Sequence, residues 1–191
     1  MKSIVLSTSS PQAAVAVLDG SAVVAFQAEF APRQAEAALF QALNHAMVHA
    51  GVSLAEVEGF IADVGPGSFT GVRVGVTVTK TLAWALGLKV SGVSSFDLIA
   101  DGAVAVPSRR EMYLLRNESV TGVVEVPAFS ADLAAAAGYG KAFPEPAYPD
   151  PRRVASQIDG LRWVAPEELL PWYVLEPGIS EPKTPYPRVS E

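Results

Sequence analysis

Asp63-Val64-Gly65-Pro66-Gly67-Ser68-Phe69-Thr70-Gly71-Val72-Arg73-Val74-Gly75 is the stretch on which the reading of the fold depends. Before it, Gly59 to Val64 is an apolar run of strand length. After it, Thr70 to Leu86 repeats its apolar residues at helical spacing and closes at Gly87. A strand feeding a helix through a glycine-rich turn is the unit of an α/β protein. Such a turn aims backbone N–H groups and the positive end of a helix dipole at one spot, where an anion can be held. Two well-known phosphate patterns do not fit. A Walker loop has Lys after its last glycine, where Val72 stands. A dinucleotide fingerprint has two residues between its second and third glycines, where Ser68-Phe69-Thr70 makes three. Two readings stay open: an anion cradle, or a structural turn. The structural turn requires glycines in conformations closed to residues with a Cβ, and Ser68 or Thr70 capping the helix.

Upstream, Ile4 to Thr8, Ala13 to Leu18 and Ala22 to Phe30 read as three strands. Ser9-Ser10-Pro11-Gln12 and Asp19-Gly20 turn the chain between them. Gln34 to Ala50 carries Ala35, Leu39, Leu43, Ala46 and Ala50 at helical spacing, with Gly51 as its C-terminal cap. Ser53-Leu54-Ala55-Glu56 has capping-box spacing. Downstream, Lys89 to Val93 is a further short strand. The order β-β-β-α-β-α-β predicts a mixed α/β sheet with helices packed on it.

Proline divides the chain. Twelve of its 15 prolines lie from Pro107 onward, so residues 1–102 are expected to form a regular lobe and 103–191 a smaller, looser one. The 191 residues are 50% hydrophobic and 18% charged, which is enough to build a core and unlike a disordered segment. No apolar run approaches the roughly 20 residues that span a bilayer, and Met1-Lys2-Ser3-Ile4 does not open like a signal peptide. Without cysteine there is neither disulfide nor thiol chemistry. A net charge of −6 argues against unaided binding of nucleic acid. These features together predict a cytoplasmic protein.

Few other residues suggest chemistry. His45 and His49 stand at i, i+4 on the first helix, a spacing that permits shared metal ligation, but no third ligand is evident. There is no Gly-x-Ser-x-Gly nucleophile elbow, and Ser94-Ser95 lacks flanking glycines. Arg109-Arg110-Glu111 reads as a solvated charge cluster at a strand start.

Gly65-Pro66-Gly67-Ser68-Phe69-Thr70-Gly71-Val72-Arg73-Val74-Gly75 resembles the signature of the TsaB (YeaZ) family, Gly-Pro-Gly-Ser-Phe-Thr-Gly-Leu-Arg-Ile-Gly. Ala50-Gly51-Val52-Ser53-Leu54, Leu86-Gly87-Leu88-Lys89-Val90 and Gly92-Val93-Ser94-Ser95-Phe96 are similar to the family in the same order and spacing. Weaker likeness continues through Arg109–Tyr113 and Leu170–Leu175. The resemblance implies an actin/sugar-kinase/Hsp70-like (ASKHA) fold in two lobes. It also implies a scaffolding role in making threonylcarbamoyladenosine beside the tRNA anticodon: a noncatalytic subunit that pairs with a catalytic TsaD-type subunit, or with a second copy of itself, in a complex that recruits a TsaE-type ATPase. No cofactor or metal is implied.

Three departures from the family sharpen that expectation. Where members begin Ile-Asp-Thr-Ser, this chain has Leu6-Ser7-Thr8-Ser9, so the first turn offers hydroxyls and no carboxylate for a hard metal ion. Arg33-Gln34-Ala35-Glu36 replaces the usual His-Ser-Glu, and Ser94–Ile99 has none of the histidines of the catalytic relative's metal motif. The alternatives are an ATP-dependent small-molecule kinase of the same fold, using Gly65–Gly71 as a phosphate cradle, and a metallopeptidase resting on His45 and His49 alone.

The expected partner surface lies on the two long helices. Gly71, Gly75, Thr79 and Ala83 recur every four residues, and Ala35, Ala38, Ala42 and Ala46, beside Leu39, form an alanine-rich face on the first helix. Stripes of small side chains let another helix approach closely. They equally let a helix settle on its own sheet. The resemblance implies pairing through these two helices.

Overall fold

The computed structural model describes residues 1–117 and 122–175. The remainder of the proline-rich half, beyond residue 175, lies outside the described residues. The first sheet has five strands, β1 (Lys2–Ser7), β2 (Gln12–Asp19), β3 (Ala22–Phe30), β4 (Gly59–Asp63) and β5 (Lys89–Val93), in the order β3-β2-β1-β4-β5. The meander β1-β2-β3 is antiparallel, and β4 and β5 add parallel strands beside β1. Between them run α1 (Ala35–Ala50) and α2 (Phe69–Leu86). The β-β-β-α-β-α-β order and the mixed sheet are both present. Each predicted strand and helix boundary falls within two residues of the observed one.

Both faces of this sheet are covered, which explains the unbroken apolar runs Ile4–Leu6, Ala13–Leu18 and Phe60–Ala62 in β1, β2 and β4. Ile4, Leu6, Val15, Val17 and Phe60 meet Leu39, Ala42, Val72 and Val76 of the helices on one face. Val5, Ala16, Leu18 and Ile61 meet Leu98, Val154 and Ile158 on the other. Gly51 and Gly87 end α1 and α2 in the left-handed conformation, at φ 63° and 68°, as C-cap glycines do. The Ser53 signal produces a single 3-10 turn, Leu54–Glu56, with the Ser53 N–H donating to Glu56 Oε2 at 3.0 Å.

The second half builds a smaller sheet from β6 (Val104–Pro107), β7 (Met112–Arg116), β8 (Val124–Pro127) and β9 (Ala137–Gly138), in the order β8-β7-β6-β9. Its core is joined to the first sheet by α3 (Ser95–Ile99), whose Phe96 and Ile99 pack with Val104, Val106, Leu114 and Tyr139. Beyond it the chain returns. Val164 bridges to Val90, Trp163 covers Gly59, and Leu169 enters the first core. Lys80 Nζ donates to the Leu169 carbonyl at 3.0 Å and the Trp172 N–H to the Val64 carbonyl at 2.7 Å. The second half of the chain is therefore stitched onto the first along the open side of β5.

Candidate functional site

The glycine loop leaves β4 at Asp63, passes a cis Gly65–Pro66 peptide and enters α2 at Phe69. Its polar groups are engaged with the protein itself. The Ser68 N–H donates to the Ser9 carbonyl at 2.7 Å, and the Val72 N–H to the Ser68 carbonyl at 2.8 Å. Ser68 Oγ caps the helix by accepting from the Gly71 N–H at 3.2 Å. Thr8 Oγ1 donates to the Gly71 carbonyl at 2.7 Å, and the Ser95 N–H to the Gly65 carbonyl at 2.9 Å. Of the two capping candidates, Ser68 serves.

The glycines are needed for two different reasons, which corrects the single reason expected. Gly65 sits at φ 98°, where side chains are strained. Gly67 and Gly71 have ordinary backbone angles but no room. A Cβ on Gly67 would fall on the Ser9 carbonyl oxygen and lie 2.9 Å from Ser9 Cβ; one on Gly71 would fall on the Thr8 carbonyl oxygen.

Beside the loop, the fold brings together Ser7, Ser9, Asp63 and Ser95, residues that the sequence analysis took separately. The parallel register pairs Leu6 with Ala62, so Ser7 and Asp63 follow side by side at the ends of β1 and β4. Asp63 Oδ2 accepts from Ser7 Oγ at 2.6 Å and Ser9 Oγ at 2.5 Å. Its Oδ1 accepts from Ser95 Oγ at 2.5 Å and the Gly65 N–H at 2.9 Å. The expectation that the first turn holds hydroxyls alone is therefore corrected: a carboxyl reaches it from β4. That carboxyl is buried (1% exposed), and burial pushes its pKa above the usual carboxylate range although all four donors act against the shift. With each oxygen already accepting two hydrogen bonds, it presents no free face to a metal or a phosphate. The visible signal was a lone acid ending an otherwise apolar strand.

The small-residue stripes are placed differently from their assigned role. Gly71, Gly75, Thr79 and Ala83 are all buried against the protein's own sheet, with Gly75 resting on Thr8. Ala38, Leu39, Ala42 and Ala46 are likewise buried, and Ala35 is half-buried. Apart from Ala35, these side chains have no surface to offer a partner. Glycine and alanine recur every four residues here because the helices lie close on the sheet, not because a second helix approaches. The helices' outer sides instead frame a groove of about 510 Å³, lined by Glu36 and Phe40 of α1 and by Thr70, Arg73, Val74, Thr77, Val78, Thr81 and Leu82 of α2. Phe40 stays 47% exposed, and Trp84 on α2 72%. At the groove's end Arg73 lies over the Phe69 ring, 5.3 Å from its centroid, and Phe69 packs on Tyr173.

The remaining candidates are separate from this region. His49 Nδ1 meets Gln27 Nε2 at 2.6 Å and His45 lies 3.8 Å from Glu29, both on the exposed side of α1. Among the described residues no cluster of three or more His, Asp or Glu could hold a metal ion. Ser94 caps α3 by accepting from the Phe96 N–H, so neither serine of that pair is free as a nucleophile. Arg109 and Arg110 form the exposed β6–β7 turn, with Arg109 paired to Glu125.

The loop and both long helices fall within the stretch that a known family matches. The family model for TsaD, tRNA N6-adenosine threonylcarbamoyltransferase, matches residues 26–115. The TsaB protein of Bacillus subtilis is 30% identical over 100 residues, covering 52% of this chain and 44% of its own length. That of Escherichia coli is 30% identical over 103 residues, covering 54% and 44%. The chain is similar to TsaB/YeaZ proteins. It spans less than half the length of those two relatives. A Pseudomonas aeruginosa structure described as similar to peptidase YEAZ superposes with a TM-score of 0.76 at 24% identity, over 91% of this chain and 99% of that one. The TsaB/YeaZ fold thus extends through the second sheet, well beyond the reach of the pairwise sequence matches to TsaB. Among the described residues no helix is long and apolar enough to cross a membrane.

Proposed function

We propose that this chain is a noncatalytic, pairing subunit of the cytoplasmic machinery that makes tRNA threonylcarbamoyladenosine, built as a two-lobed ASKHA fold with its lobes meeting near residue 102. Its partner is a TsaD-type catalytic subunit, with a TsaE-type ATPase joining the assembly and a second copy of the chain as the alternative partner. The observation that carries the reading is the groove between α1 and α2, whose lining lies within the residues 26–115 matched by the TsaD family model. The pairing surface is assigned to the outward residues of these helices and not to the buried stripes. Glu36 and Arg73 give it one charge of each sign, and Phe40, Val74 and Val78 give it apolar area. The loop Gly65, Pro66, Gly67, Ser68, Phe69, Thr70, Gly71 and Arg73 supports that surface: its N–H groups at Ser68, Gly71 and Val72 already have acceptors, which favours a structural turn over the kinase alternative.

The test is size exclusion and titration calorimetry with a TsaD-type protein, comparing the unmodified chain with Phe40→Asp and Thr77→Glu. Both positions are exposed, so the fold survives. A residue central to an interface is worth ~2 kcal/mol or more, roughly 30-fold in Kd. Unchanged co-elution by both variants places the interface elsewhere. Failure of the unmodified chain to bind overturns the subunit reading itself.

A further inference from the structure

Between Ile158 and Val174 the chain wraps around the edge of β5. Ile158 is buried on one face of the first sheet with Val5 and Leu18, and Val174 packs on the core of the second sheet, so the segment is anchored at both ends. In between, Trp163 lies on the same face as Ile158, Val164 meets the edge itself, and Leu169 enters the core on the other face. The hold is thin for its length. Of residues 163–172 Leu169 alone is buried, whereas β2 buries six of its eight residues. The bridge consists of two hydrogen bonds, from the Val90 N–H to the Val164 carbonyl at 3.0 Å and from the Val164 N–H to the Val90 carbonyl at 2.8 Å. The Trp172 N–H adds one more, to the Val64 carbonyl. Pro166 and Pro171 have no N–H to offer, and those of Glu168 and Leu169 donate within the segment, to the Ala165 and Pro166 carbonyls.

One side chain fastens the middle of this segment. Lys80, on the flank of α2, donates from Nζ to the Glu167 carbonyl at 3.4 Å and to the Leu169 carbonyl at 3.0 Å. Both carbonyls lie at the end of the single 3-10 turn Pro166–Glu168, where a helix leaves its acceptors without partners and a cation is a natural donor. Segments with few buried side chains and few backbone bonds open at a lower cost than the strands beneath them. We propose that residues 163–172 are a strap that lifts from the first sheet as one unit while both sheets remain folded, with Lys80 as its clip. The bridge at Val164, the buried Leu169 and the bond at Trp172 follow one another along a single short segment, and the clip holds the carbonyls midway between the outer two. Lifting frees the outward backbone groups of Val90, which can then pair with another extended segment. It also draws Trp172 away from the Phe96 ring, against which it stands edge-on. No partner is needed to observe the motion.

Native-state amide exchange in low urea, on the chain alone, tests this. Three amides report the lift: Val164, Val90 and Trp172, which donate to the Val90, Val164 and Val64 carbonyls. Val90 belongs to β5, so its exchange in step with the strap separates lifting from unfolding of the sheet. The Val64 amide, which donates to the Val93 carbonyl, and the amide of Val15, on a strand paired on both sides, are the controls. The expected result is one common opening constant and one weak urea dependence at the three reporters, while both controls exchange through a costlier opening that is more sensitive to urea. Lys80→Met keeps the alkyl stem and removes the donor. It is expected to raise the opening constant about tenfold at all three reporters alike, leaving the controls unchanged. Leu169→Ala is expected to move the same three amides together and further. Reporters with different urea dependences, reporters that exchange only together with Val15, or a Lys80→Met effect that is absent or confined to one reporter overturns the proposal.

Discussion

Replacing Gly71 with alanine sets two opposed effects against each other. Position 71 lies in the first turn of α2, and in a free helix the exchange is favourable by ~1 kcal/mol. In this fold the new Cβ would sit on the Thr8 carbonyl oxygen, 3.1 Å from its carbon and 3.3 Å from Ser68 Cβ. These are backbone atoms at the end of a central strand, and no flexible side chain can swing away. To reach the roughly 3.5 Å of ordinary carbon contact, α2 and the β1 turn must part by about 1 Å or more. Parting them stretches the 2.7 Å bond from Thr8 Oγ1 to the Gly71 carbonyl, worth about 1 kcal/mol. It also loosens Val72 and Val76 in the main core, and overpacking of this kind costs about 1–3 kcal/mol. The net expectation is a loss of ~1–3 kcal/mol once the helix gain is subtracted. Urea unfolding followed by circular dichroism gives the value, with Gly102→Ala as the control because nothing lies within 4 Å of its Cβ. Equal midpoints for the two variants would show that α2 is free to slide on the sheet, and the close-approach account of Gly71 would fail.

Ser68→Ala removes the cap of α2 and is expected to lower stability by ~1 kcal/mol, read from the same urea curves, while Thr70→Ala, which caps nothing, leaves them unchanged. Glu56 has its pKa lowered to about 2, first by the Ser53 N–H and then by Lys2. A depressed folded-state pKa contributes stability above the ordinary value of 4.5 that is lost as pH falls towards about 2. Glu56→Gln is therefore expected to flatten the acid limb of the stability profile in that window, and a thermal melt series from pH 5 to 2 measures it.

The first sheet was legible because its elements obey simple periods. Gly51 and Gly87 marked both helix ends, and Asp19-Gly20 marked the β2–β3 turn. The stripe Gly71, Gly75, Thr79, Ala83 was legible as a contact but not as to its partner, because small residues every fourth position serve helix-on-sheet and helix-on-helix packing alike. The Asp63 cluster was out of reach for a different reason. Its members stand at 7, 9, 63 and 95, and only the pairing of β1 with β4 brings an acid from one strand beside a serine of another. Nor did any local pattern announce that residues 163–172 would return to β5, because a single bridge and a few buried side chains have no periodicity to read.

That return bears on the order in which the protein can be made. β5 is an edge of the first sheet until Val164 bridges to Val90, and Gly59 lies uncovered until Trp163 arrives. A chain emerging from the ribosome shows β1 to β5 long before either residue exists. During that interval the nascent sheet presents an unpaired strand to its neighbours, the feature that most readily recruits foreign strands. The second half of the chain, whatever else it does, acts late in synthesis as the guard of an edge laid down early.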